Sequence, residues 1–123
     1  MIGPSPLNIN IYQGASFQLP FQLLDSDDVA VSMAGATIRS KIRNDLDDAA
    51  AILTFTGTVT DGPNGEGEIT ATAAQTAALV APASEAKKRP ITKWLWDLEV
   101  EFADATVVRV YEGFVFFSPE STK

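Results

Sequence analysis

Cysteine and histidine are both absent from this chain of 123 residues. Without cysteine there is no disulfide, no thiolate nucleophile and no zinc–sulfur site, which fits a protein made in a reducing cytoplasm. Without histidine, neither a Ser-His-Asp nor a Cys-His arrangement can be assembled, and proton exchange near neutrality loses its best-suited side chain. Positive charge is scarce too. Nine Lys and Arg against 16 Asp and Glu leave a net charge of −7, whereas a nucleic-acid binder needs a basic face to displace counterions. No apolar run approaches the roughly 18 residues of a membrane span. Met1-Ile2-Gly3-Pro4-Ser5-Pro6 has neither the basic start nor the apolar core of a cleaved secretory signal. Neither nucleic acid nor membrane is therefore an expected partner.

Hydrophobic content of 46% and charged content of 20% place the chain among foldable globular proteins. Its length suits one domain burying roughly two-thirds of its unfolded surface. The clearest local signal lies near the C-terminus. Trp94, Trp96, Leu98, Val100 and Phe102 point one way while Asp97, Glu99 and Glu101 point the other, the period of two of a strand with one dry and one wet face. Ala103 to Thr106 suits a hairpin loop, and the run Val107 to Phe117 suits the returning strand.

Earlier segments repeat the pattern. Leu7, Ile9 and Ile11 mark a first strand, which Gly14 breaks; Phe17, Leu19, Phe21 and Leu23 mark a second. Pro20 cannot donate to a ladder, so that second strand belongs at an edge or beside a bulge. A third strand has Ala36, Ile38, Ser40 and Ile42 inward, with Thr37, Arg39, Lys41 and Arg43 outward. A fourth runs through Leu53, Phe55, Gly57 and Val59, and a short one lies around Glu68 to Thr70. The acidic turn Asp25 to Asp28 and the stretch Asp61-Gly62-Pro63-Asn64-Gly65 carry turn chemistry. Thr72 and Gln75 have the spacing of a capping box for one short helix, Ala73 to Leu79. The expected fold is all-β: an antiparallel two-sheet sandwich of immunoglobulin-like character, about seven strands with one short crossover helix. A partly open barrel is the competing architecture. Residues 1–6 read as an extended N-terminal arm and residues 7–123 as a single sandwich domain.

Each charged cluster has a structural explanation. Asp25, Asp27 and Asp28, and again Asp45, Asp47 and Asp48, lack the glycine bend and distal glutamate of a calcium loop. The spacing from Asp61 to Glu68 fails in the same way, so no metal site is assigned. Asp97, Glu99 and Glu101 share one strand face, which reads as solvated sheet and not as the paired acids of a glycosidase cleft. Catalytic residues and cofactors are accordingly expected to be none. Arg39, Lys41 and Arg43 form a basic stripe, with Glu68 or Glu99 as cross-strand partners.

The candidate contact residues lie elsewhere. Lys87, Lys88 and Arg89 sit in a loop that has no need of them for folding; they are either solvated or an electrostatic contact. Trp94 is either core or an exposed anchor. Phe114 and Phe116 alternate with Val115 and Phe117, so that strand is apolar on both faces: either covered or facing a partner. Ile2, Pro4 and Pro6 make the arm a further candidate contact.

Taken in order, several pieces resemble small virion proteins of tailed bacteriophages and prophages, including the N-terminal domain of baseplate upper proteins. They are Phe17-Gln18-Leu19-Pro20-Phe21 with its acidic turn, Met33 to Arg43, and the alanine-rich Thr72 to Leu79. Trp96-Asp97-Leu98-Glu99, Val107-Val108-Arg109, Gly113 and Ser118-Pro119-Glu120-Ser121-Thr122 complete the set. The loop Pro82 to Lys93 departs from the family pattern. The resemblance implies a non-enzymatic structural role in the virion, through contacts with other virion proteins in a symmetric assembly of several copies. A tail- or baseplate-associated connector or adaptor is the first expectation. A capsid decoration (cement) protein and a free carbohydrate- or protein-binding module are the alternatives.

Overall fold

A computed structural model describes residues 5–43, 51–79 and 91–118. Ile2, Pro4, the Asp45–Asp48 cluster and the basic loop Lys87, Lys88 and Arg89 lie outside the described residues. Nine strands and one helix follow in order: β1 (Ser5–Pro6), β2 (Ile9–Tyr12), β3 (Phe17–Gln22), β4 (Thr37–Arg43), β5 (Ala51–Thr54), β6 (Thr56–Asp61), β7 (Glu66–Ala71), α1 (Ala73–Ala77), β8 (Ile91–Glu101) and β9 (Val107–Ser118). The larger sheet runs β1-β9-β8-β4-β5, with β2 also on β9; the smaller runs β3-β7-β6. The expected two-sheet β-sandwich is therefore the fold.

Its core is the alternating set read from the sequence. Trp94, Trp96, Leu98 and Val100 of β8 are buried, as are Ile38, Ser40 and Ile42 of β4. Aromatic rings pack within and between the layers: in the larger sheet Trp94 lies against Phe117 with centroids 5.0 Å apart and Trp96 against Tyr111 at 6.2 Å, and Tyr111 meets Phe21 of the smaller sheet edge-on at 6.4 Å. Such pairs add about 0.5–1.5 kcal/mol each beyond the area they bury. Buried polar groups are satisfied. Ser40 donates its hydroxyl to the Asp97 carbonyl at 2.6 Å. Among the described residues no buried side-chain nitrogen or oxygen lacks a partner.

Three features differ from the sequence reading. The fourth strand is two strands, because the chain leaves the larger sheet at Phe55 and joins the smaller one. The Phe55 amide donates to the Ser40 carbonyl at 2.9 Å, and Gly57 passes against the backbone of Ile38, where a Cβ would lie 2.6 Å from the Ile38 oxygen. A corner of this kind preserves the alternation, so periodicity alone does not reveal it. Second, β1 and β2 pair with β9 in parallel, Ser5 opposite Tyr111 and Ile9 opposite Val115, while the other pairings between named strands are antiparallel. Third, Ser5 and Pro6, read as part of the arm, belong to the sheet. Pro6 is tolerated because β1 is an edge strand and needs no second donor there.

Other local readings hold. Pro20 lies in β3, an edge strand of the smaller sheet. Asp25 accepts the amides of Asp27 and Val29, closing the acidic turn. Thr72 and Gln75 form the reciprocal capping box. Too short to stand alone, α1 is docked by Thr76, whose hydroxyl accepts the Gly14 amide at 3.1 Å and lies 2.8 Å from the Ala15 carbonyl.

Candidate functional site

The outer face of the larger sheet gathers most of the side chains singled out from the sequence. Pairing in register sets Arg39 opposite Glu99, Lys41 opposite Asp97, and Arg43 opposite Leu95. On the other side of β8, Glu99 faces Arg109, Asp97 faces Glu112 and Leu95 faces Phe114. The face thus has two halves that share β8 and β9.

The first half is an ion-pair lattice. Arg39 reaches Glu99 at 3.6 Å and also pairs with Glu101. Arg43 lies 3.7 Å from Asp97, and Arg109 lies 3.3 Å from Glu99, 3.4 Å from Glu112 and 3.9 Å from Asp97. Glu99 is the partner that sequence spacing anticipated for the basic stripe. Glu68 instead sits on the smaller sheet and accepts from Gln18 at 2.9 Å. Asp97 is the most enclosed carboxylate of the lattice. Burial pushes its carboxyl up from the ordinary carboxylate range, Arg109 and Arg43 pull it down, and Glu99 and Glu112 add to the rise. Burial opposes the charge of Arg109, but hydrogen bonds to Glu99 and Glu112 and the field of Asp97 outweigh it, holding that guanidinium above its ordinary value. Pairs exposed this far contribute about 0.2–1 kcal/mol each. Among the described residues opposite charges mostly face one another across the strands, the exception being Asp97 opposite Glu112. Among the described residues, no group of three carboxylates is disposed to hold a metal ion.

The second half is apolar. Phe114 is 50% exposed and Tyr12 58% exposed, with Leu95 and Phe116 half-buried between the lattice and the edge. Pro6, Asn8, Leu95, Gly113 and Phe114 line a shallow groove where β1 and β2 meet β9. A β-bulge creates this arrangement. Leu98 pairs with Tyr111 but Glu99 pairs with Arg109, so β9 carries one extra residue. Strict alternation from Val108 would have driven Glu112 into the core. The extra residue returns Glu112 and Phe114 to the outer face and keeps Tyr111 and Val115 inside.

Gly113 completes the edge. A Cβ there would collide with the Leu7 carbonyl oxygen, which accepts the Trp96 indole N–H at 2.7 Å, while the Leu7 amide donates to the Glu112 carbonyl at 3.0 Å. Asn8 accepts the Phe114 amide at 3.0 Å. The N-terminal strands are clamped here.

Of the proposed contact residues, the structure therefore brings Pro6, Phe114 and Phe116 to one surface. Trp94 is not there: it is 3% exposed and packs on Phe117, so it supplies core and offers no anchor. Leu95 and Tyr12 were missed. Each carries a strand's usual outward position, and only the pairing of β2 with β9 and of β8 with β9 places them beside the phenylalanines.

The chain is thus a two-layer β domain whose outer sheet face mixes a charge lattice with exposed aromatics, and whose buried side-chain nitrogens and oxygens all have partners among the described residues. Residues 3–118 match the family of LtfC-like β-sandwich domains, so the chain belongs to that family. It is a phage-related β-sandwich domain, as the sequence resemblance implied; the narrower likeness to baseplate upper proteins is not part of that match. No curated protein matches the chain.

Proposed function

We propose that this chain is a non-enzymatic structural protein of the phage particle, a connector or adaptor associated with the tail or baseplate. It acts through contacts with other virion proteins, is present in several copies, and is made in the host cytoplasm before entering the virion. The observation that carries this reading is the outer face of the larger sheet. Phe114 and Tyr12 expose large apolar area on a domain whose remaining aromatics are mostly covered, and exposed aromatics beside a polar rim mark protein contacts. Membership in a phage-related β-sandwich family supports it. So does the ion-pair lattice, which uses the carboxylates of β8 in structural pairs. Cryo-electron microscopy of particles carrying a labelled copy tests the reading directly. Density at the tail tip is expected; density on the icosahedral shell identifies a capsid decoration protein instead. Absence from the particle, with saturable glycan binding by the isolated chain, replaces both with a free binding module.

A further inference from the structure

The charges of this molecule are segregated between its two sheets. On the outer face of the larger sheet, Arg39, Lys41, Arg43 and Arg109 are balanced by Asp97, Glu99, Glu101 and Glu112. Among the described side chains of that face the charges balance, although the chain as a whole carries −7. The smaller sheet and the turns extending from it hold Asp25, Asp27, Asp28, Asp61, Glu66 and Glu68, with no Lys or Arg among the described residues there. Next to the neutral lattice lies the apolar patch of Tyr12, Leu95, Phe114 and Phe116. This apolar patch thus adjoins a balanced set of charges, which a second negatively charged copy can approach with less repulsion than it meets at the acidic smaller sheet.

We propose that the outer face of the larger sheet is the contact between two copies of this chain, centred on Phe114. This inference rests on the structural role proposed above and names one of its partners. Packed face to face, two larger sheets leave the acidic smaller sheets on the outside. With sheets stacked about 10 Å apart, those acidic layers are separated by about 30 Å, several times the ~8 Å screening length at physiological salt. Size is adequate as well. β9 has 12 residues, β8 has 11, β4 has 7, β2 and β5 have 4 each and β1 has 2; at about 3.4 Å per residue and about 4.8 Å between strands the sheet offers roughly 650 Å². A standard interface buries about 800 Å² on each partner. Exposed aromatic rings beside charged pairs are a common composition of such contacts.

Sedimentation equilibrium of the full chain over a wide concentration range tests this, together with Phe114→Glu, Tyr12→Glu and, on the opposite sheet, Thr58→Glu. Concentration-dependent dimerisation is expected, strengthened by added salt as the residual −7 of each copy is screened. Phe114→Glu and Tyr12→Glu should each weaken it at least about tenfold with thermal unfolding unchanged, while Thr58→Glu associates like the wild type. A wild-type chain that stays monomeric overturns the proposal. So does dimerisation indifferent to Phe114 and Tyr12, or abolished equally by Thr58→Glu. Incorporation into particles separates this from the broader reading. A monomeric chain found in virions sinks the self-contact and leaves the structural role standing. A Phe114-dependent dimer absent from virions does the reverse.

Discussion

Phe114 and Phe117 lie three residues apart on β9, and they have opposite fates. Phe117 is fully buried, its ring tilted against Trp94 between the two sheets; Phe114 is half exposed on the outer face. The same side chain on the same strand is structural on one side and free for contact on the other. What separates them is the layer beneath. The inner face meets Phe21, Ile69 and Met33 from the smaller sheet and its loops. Outward, Phe114 has for neighbours Leu95, Pro6 and solvent. Apolar residues hold the fold only where a second layer covers them.

That contrast can be broken from its inner side with the largest effect. Trp96→Ala removes a ring stacked on Tyr111 and the indole N–H that binds the Leu7 carbonyl. A loss of about 3–5 kcal/mol in urea unfolding is expected. The outer counterpart Phe114→Ser should shift stability by no more than about 0.5 kcal/mol. Comparable losses from the two, measured on the dilute single chain, would mean that the chain itself covers its outer face.

The boundary between the faces is tested by Gly113→Ala. The added methyl meets the Leu7 carbonyl, so the backbone must shift and the β1–β2 segment loses its clamp. About 2–3 kcal/mol is expected, with hydrogen exchange accelerated at the Leu7 and Phe114 amides. Native-like protection at both amides would show that the edge adapts without cost.

Smaller effects come from the lattice. Arg109→Ala, which removes the ion pair to Glu112 and leaves Glu99 with Arg39 alone, should cost about 0.5–1 kcal/mol at low salt, and the difference should shrink as salt is raised.

Asp97 gives the finest test, through pH. Its carboxyl is raised in the folded chain, chiefly by burial, so the folded state prefers the neutral acid more than the unfolded state does. The resulting stability is fully present below the ordinary carboxylate range and is lost as pH rises through the raised value. Asp97→Asn should therefore stand highest relative to the wild type near neutrality, and that margin should fall on acidification. Urea titrations of both chains at about pH 7 and about pH 4 check this; a margin that grows on acidification contradicts it.

Much of the fold was legible because single strands announce themselves. The alternation of β8, the inward set of β4, the capping box at Thr72 and the Asp61–Gly65 turn each depend on residues close in sequence. The corner at Phe55 was not legible. Leu53, Phe55 and Val59 keep one period across two strands, and the switch shows only in the hydrogen bond from Phe55 to Ser40. Nor was the parallel pairing of β2 with β9, which joins residues more than 100 positions apart. The bulge did leave a trace in Glu112, a charge at a position where strict alternation demands an apolar residue.

From its residues alone, this chain was committed to two-layer β packing and to chemistry without histidine or cysteine, because alternation and composition are properties of the chain itself. The meeting of Tyr12, Leu95 and Phe114 on one surface, and the retreat of Trp94 into the core, were decided by strand pairing. Register is an agreement between distant segments, and it is settled only when both faces of a sheet compete for the same interior.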